Sequence, residues 1–164
     1  MAMPKEWMAE LARNVDVLLA SAQLLGAPVV ATEQYPKGLG PTIEPVGQRL
    51  QEIGARPIEK TAFSAAEVPE FNQRLTEVAP SAVILVGMEA HVCVYQTVRD
   101  LVGRGIEVHV PVDAVVSRHE DDRATGVALC ERAGAIPTTT ETIVFDWLGR
   151  AGTDAFRAIS KLVR

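Results

Sequence analysis

Cys93 is the residue in this chain whose type and setting together suggest covalent chemistry. It closes the run Val83-Ile84-Leu85-Val86-Gly87-Met88-Glu89-Ala90-His91-Val92-Cys93. The first four residues are apolar without alternation, which predicts a strand buried on both faces, as in parallel sheets. After Cys93 the spacing changes to that of a helix: Val94, Thr97, Val98, Leu101 and Val102 recur until Gly103 and Gly105 stop the pattern. A cysteine where a strand turns into a helix sits near backbone N–H groups that favour a thiolate. The same turn can aim N–H donors at a developing oxyanion. From position alone a second reading stands beside this one, because free cysteine is also among the most buried residue types. Cys130 lies in the middle of a predicted helix with no polar partner and reads as core.

Other candidates lie on segments that follow strands. Glu33 to Thr42 carries Pro36, Gly38, Gly40 and Pro41 and reads as a loop. It leaves the C-terminal end of a strand, where open parallel sheets place their ligands. Glu33, Gln34, Tyr35 and Lys37 are therefore candidate substrate contacts, and solvated loop decoration is the alternative. Phe63 and Tyr95 are candidate pocket walls. Lys60 closes another candidate strand, Arg56-Pro-Ile-Glu-Lys60, in a place where most lysines are plain surface charge. His91 lies two residues before Cys93 and reads as a structural residue of the turn, with a Cys–His dyad the weaker possibility.

The elements that must hold these residues alternate. Pro4–Leu25 predicts an amphipathic helix with Leu11, Val15, Leu18, Leu19, Ala22 and Leu25 on one face, stopped by Gly26. Strands are expected at 28–32, 56–60, 83–86, 106–112 and 135–139. The strand at 106–112 alternates and suggests a place nearer an edge. Helices are expected at 46–53, 68–78, 94–102, 119–133, 141–148 and 153–163, with Thr153 an N-cap. In the helix at 119–133 the inner face is expected to be Ala124, Val127, Ala128 and Ala133. Residues 113–118 read as a loop. Strands alternating with helices imply a doubly wound α/β fold, a mostly parallel sheet with helices on both faces.

Bulk properties limit the partners. The chain has 164 residues, 48% hydrophobic and 23% charged, which suits one folded domain and argues against disorder. A formal charge of -5 provides no basic footprint, so neither nucleic acid nor an anionic membrane is expected as a partner. No apolar run approaches the roughly 18 residues of a membrane span. The N-terminus lacks a basic region followed by an apolar core, so no signal peptide is expected. Two cysteines and no export signal point to free thiols in the cytoplasm.

Gly87-Met-Glu-Ala-His-Val-Cys93-Val resembles the nucleophile motif of the isochorismatase-like cysteine hydrolases, the superfamily that includes nicotinamidases. Thr32-Glu-Gln-Tyr-Pro-Lys-Gly-Leu-Gly40, Glu59-Lys-Thr-Ala-Phe-Ser64, Asp113-Ala-Val-Val-Ser-Arg118 and Thr138-Thr-Thr-Glu141 match in the expected order. The resemblance runs from about Trp7 to the C-terminus. It implies a sheet order of 3-2-1-4-5-6, Cys93 as nucleophile, Lys60 as catalytic lysine and the N–H groups of Glu89 and Cys93 as oxyanion hole. It also implies a cis Met88–Glu89 peptide, a small amide or related C–N substrate, and a homo-oligomer. Nicotinamidases of the superfamily hold a metal between the second strand and the lysine through closely spaced histidines. That interval contains no histidine here, so no metal and no other cofactor is expected. The catalytic Asp of the family lies in an Asp-x-Gln context on a first strand, and no such strand precedes Trp7. Asp16 falls inside the helical pattern. The resemblance therefore implies a single domain, N-terminally shortened, without the central strand. It leaves two functions open: a cysteine hydrolase, or a catalytically impaired homologue that binds or assembles.

Overall fold

The computed structural model describes residues 3–163. The first element is the long helix α1 (Lys5–Leu25), entered through Pro4 and ended by Gly26 in the left-handed region at φ 72°, whose N–H donates to Ala22 O. There follow β1 (Thr32–Gln34), α2 (Pro36–Leu39), α3 (Val46–Glu52), β2 (Ile58–Lys60), α4 (Pro69–Val78), β3 (Ala82–Ile84) and β4 (Gly87–Met88). The second half contains α5 (Tyr95–Val102), β5 (Glu107–Pro111), β6 (Val115–Val116), α6 (Glu120–Arg132), β7 (Ile136–Thr138), α7 (Thr140–Leu148) and α8 (Asp154–Ile159). Thr139 caps α7 and Thr153 caps α8, each side-chain oxygen accepting the N–H three residues on.

Every strand pair is parallel. β1 lies beside β2, with Thr32 opposite Ile58 and Gln34 opposite Lys60. β3, β5 and β7 form a second ladder in that order, with Val83 opposite Val108 and His109 opposite Ile136. β4 and β6 pair over two residues, Gly87 with Val115 and Met88 with Val116. Taken together, β2-β1 and β3-β5-β7 reproduce the order 3-2-1-4-5-6 except at its centre. Among the described residues no strand pairs with the second edge of β1 or of β3.

Two cores lie on opposite faces of this sheet. One joins α1, α3, α7 and α8 around Leu11, Leu18, Leu50, Val144 and Ile159. The other joins α4, α5 and α6 around Phe71, Val98, Leu101, Val108 and Cys130. The β3 segment serves both, sending Ile84 and Val86 to the first and Val83 and Leu85 to the second. No helix among the described residues is long and apolar enough to cross a membrane.

Several sequence expectations need correction or refinement. Residues 83–86 face a core on each side but are only partly buried, because among the described residues β3 has a ladder partner on one edge alone. The strand expected at 28–32 pairs at Thr32–Gln34 instead. Its ladder begins where Ile58 N–H reaches Ala31 O, and neither Pro28 nor Pro57 has an N–H to extend it backwards. The loop expected at 33–42 therefore begins as strand and continues as the single turn of α2, which Pro36 opens. β5 is the middle strand of its ladder, one place in from the terminal strand β7, so it lies near an edge without being one. On its polar side His109 Nε2 lies 2.9 Å from Glu107 Oε1, while Nδ1 is buried without a hydrogen-bond partner. Residues 115–116, expected as loop, are the strand β6. Finally, α6 buries Gly126 and Cys130 and leaves Ala124 and Ala128 exposed.

Substitution at Leu101, which is fully buried, tests the second core. Leu101→Ala is expected to cost about 2–5 kcal/mol in urea unfolding. Leu39→Ala, at a residue 72% exposed, is expected to stay within about 0.5 kcal/mol. Equal effects would contradict the packing described. Thr153→Ala is expected to lose about 1 kcal/mol by removing the α8 cap.

Candidate active site

The turn that carries Cys93 is built from a short ladder and an underwound first turn of helix. Gly87 sits at φ 123°, a conformation that a residue with a Cβ rarely adopts. The Met88–Glu89 peptide is cis, as the resemblance implies. Ala90–Val94 then form one π turn that runs directly into α5. Cys93 thus lies within the opening turn of the helix rather than just ahead of it, and its side chain is partly buried. Ala90 N–H donates to Ser117 Oγ at 3.1 Å, and Val92 and Val94 N–H donate to Glu89 O at 3.2 and 3.1 Å. The expected oxyanion donors, the N–H groups of Glu89 and Cys93, take no part in those three bonds.

Two strand ends bring polar groups to the thiol. Lys60, 8% exposed, closes β2. Its ammonium donates to Gln34 Oε1 at 2.5 Å, Ala62 O at 3.0 Å and Phe63 O at 2.8 Å. All three of its protons are thereby committed. Burial holds Lys60 below the ordinary lysine range, opposed by the negative charge of a Cys93 thiolate nearby. Gln34 closes β1 and stands between the two: Nε2 donates to Thr61 O at 2.8 Å, and Oε1 lies 4.0 Å from Cys93 Sγ. Thr97 ties the third element in, donating to Cys93 O at 2.7 Å while accepting Ala65 N–H at 3.0 Å. The ends of β1 and β2 and the start of α5 therefore meet around one thiol.

Electrostatics separate the two cysteines. Cys130 is 1% exposed, and burial alone pushes its thiol up to about 11. Cys93 has a lysine nearby and faces the edge of the sheet where the strands end.

The remaining expected site residues divide. Glu33 braces the loop, its Oε1 accepting both Thr42 N–H and Thr42 Oγ–H at 2.7 Å. Tyr35, in the left-handed region at φ 41°, and Lys37 are exposed on the turn of α2. Phe63 is 53% exposed, while its carbonyl holds Lys60. Tyr95 is partly buried against the second core, with the Arg99 guanidinium 5.9 Å from its ring centre. The Glu89 side chain turns away to Arg118, Oε1 meeting Nε at 2.9 Å and Oε2 accepting Arg118 N–H at 3.1 Å. Among the described residues no group of three or more His, Cys, Asp or Glu side chains is placed to hold a metal ion.

Sequence reasoning assigned no role to Thr97, Ser117 or Gly126. The signal for Gly126 was present, since a glycine inside a helix forgoes stability and needs a packing reason. The hydroxyls carried none, because a buried serine or threonine looks like any other until its partner is known.

Comparisons with known proteins bear on the family and the fold. The family model described as Isochorismatase domain matches residues 2–142. Isochorismatase domain-containing protein 2 of Bos taurus is 41% identical over 149 residues, covering 90% of this chain and 70% of the relative. The structure of MAR1 ribonuclease from Caenorhabditis elegans superposes with a TM-score of 0.84 at 42% identity, covering 94% of this chain and 79% of that one. The pyrazinamidase/nicotinamidase of Streptococcus mutans, 18% identical with a TM-score of 0.66 over 79% of this chain and 85% of that one, shares the fold. By its motifs, its topology and these relatives, the chain belongs to the isochorismatase family.

Proposed function

We propose that this protein is a cysteine hydrolase that cleaves a small amide or related C–N substrate by nucleophilic acyl transfer. The observation that carries the reading is the meeting of Cys93 with Lys60 through Gln34 at the C-terminal ends of β1 and β2. In this mechanism the thiolate of Cys93 attacks the carbonyl carbon, and the negative oxygen settles on the N–H groups of Glu89 and Cys93. The C–N bond breaks, the amine leaves with a proton, and water then hydrolyses the thioester to free the thiol. Lys60 favours the thiolate as a nearby cation. Tyr35, Lys37, Phe63 and Tyr95 serve as substrate walls in this reading. The exposed Tyr35, Leu39 and Phe63 beside the site also support association with further copies of the chain. Two free thiols fit a reducing compartment such as the cytoplasm.

One observation favours the impaired-homologue reading. Among the described residues Cys93 Sγ meets an amide oxygen, Gln34 Oε1, and no carboxylate hydrogen-bonds to it. An acid–base group is typically worth about 10²–10⁴-fold in rate. We infer that the position between β1 and β3 takes one more parallel strand bearing an Asp, which supplies both the missing ladder and the proton carrier. Supplying such a strand ending in Asp-x-Gln is expected to raise the melting temperature and amide turnover together. Asp→Asn within it should keep the gain in stability and abolish turnover. Turnover that is already full without the strand would contradict this inference.

The C. elegans relative bears the name ribonuclease. For this chain a formal charge of -5 and a buried lysine with all its protons committed favour a small neutral substrate over a phosphodiester backbone. The direct test is ammonia release from a panel of small amides, run beside an RNA cleavage assay. Amide hydrolysis lost in Cys93→Ala is expected. RNA cleavage that survives Cys93→Ala, without amide hydrolysis, would overturn the proposal.

The thiols provide a second check. At neutral pH, iodoacetamide should label Cys93 first, because burial pushes the Cys130 thiol up to about 11 and keeps it protonated and covered. Lys60→Met should move the midpoint of the Cys93 labelling profile to higher pH. Faster labelling of Cys130 in folded protein would contradict the site.

A further inference from the structure

We propose that Ser117 and Gly126 are positioning residues for the nucleophile turn, Ser117 by pinning its backbone and Gly126 by letting α6 lie directly on it. The proposal rests on the reading of Cys93 as the nucleophile. Ser117 is fully buried, and its hydroxyl accepts the Ala90 N–H at 3.1 Å. The same oxygen lies 3.0 Å from His91 Nδ1. A buried hydroxyl needs an acceptor for its own proton, and His91 Nδ1 is that acceptor when the ring carries its proton on Nε2. Nε2 then faces Asp122 Oδ2 on α6 at 3.9 Å. The chain of contacts runs from Ala90 N–H through Ser117 to His91 and on toward α6.

Gly126 makes the other half of this clamp. A Cβ added there would fall 2.5 Å from Ala90 C, 2.5 Å from His91 N and 2.8 Å from His91 Cα. Those are backbone atoms and cannot swing aside as a flexible side chain would. Of the 12 glycines, Gly126 is the one whose added Cβ would come within 3.0 Å of backbone. A helix interior ordinarily disfavours glycine, so its presence here is explained by the close approach. Ala90 itself is fully buried under α6. The two contacts fix the backbone two to three residues ahead of Cys93, between the Glu89 and Cys93 N–H groups that must face the oxyanion. They also occupy Ala90 N–H, which leaves the Glu89 and Cys93 donors to the reaction.

The test is the pH profile of Cys93 alkylation by iodoacetamide in the full chain, with Cys130 protection as the measure of intact fold. Ser117→Ala and Gly126→Ala should each raise the midpoint by about half a unit or more, slowing Cys93 alkylation at neutral pH about threefold. Thr125→Ala, at an exposed position on the same helix, should leave the midpoint unchanged. Ser117→Thr and Ser117→Val form a pair of equal shape that differs in the hydroxyl. The Thr variant should restore the wild-type midpoint and the Val variant should not. Midpoints unmoved in variants that still protect Cys130, or equal midpoints for Thr and Val, would overturn the proposal. Alkylation reads the thiol whatever the substrate. Failure of the hydrolase reading would therefore leave these shifts in place, whereas failure of the clamp would remove them.

Discussion

The parallel ladder between Gly87–Met88 and Val115–Val116 is two residue pairs long, and the geometry of the site depends on it. It places Ser117 directly under the turn that carries Cys93, and it sets Arg118 where it can hold Glu89 by both backbone and side chain. Strand ends in a parallel sheet are the natural location for such a device, because their backbone groups leave the ladder and can be redirected. Here that freedom is absorbed by Ser117, Arg118 and α6, and the thiol is left facing Gln34 and Lys60.

The sheet sets the second condition. β2-β1 and β3-β5-β7 are separate ladders, each with an edge on the side where the family order has its central strand. Both edges carry apolar residues that remain partly buried: Val29 and Ala31 beside β1, and Val83 to Val86 on and after β3. Unpaired, buried N–H and C=O groups cost about 1–3 kcal/mol each. Against a net stability of about 5–15 kcal/mol, ladder pairing at this place bears on folding as much as on chemistry. The ends of β1 and β2 supply the groups nearest the thiol, so any strand inserted between β1 and β3 would end beside Cys93 as well.

Much of this was legible in the residues. The period of α1, the apolar run at Val83 and the helical spacing after Cys93 reappear in the structure. So do two features implied by the family resemblance, the strand order except at its centre and the cis Met88–Glu89 peptide. What was not legible has physical causes. The burial of 83–86 depends on a neighbour that the segment itself does not encode. The inner face of α6 was read from apolar residues, but contact with the Cys93 turn requires the smallest residue, so the helix is rotated to bury Gly126. Glu33 looked like a substrate contact because it sits on a loop after a strand, yet its carboxylate is occupied in holding that loop through Thr42. Gln34, its neighbour, points instead to Lys60 and the thiol, a distinction decided by the alternation of one strand.

The central claim is that the turn delivers an activated Cys93 to an acyl group. Its most direct measurement is a rapid acid quench of the protein during reaction with an activated acyl substrate, followed by intact-mass analysis and peptide mapping. The account predicts a transient acyl adduct on the peptide containing Cys93, formed and lost at rates consistent with turnover and absent from Cys93→Ala. Turnover without an adduct on Cys93, or an adduct carried by Cys130, would contradict it.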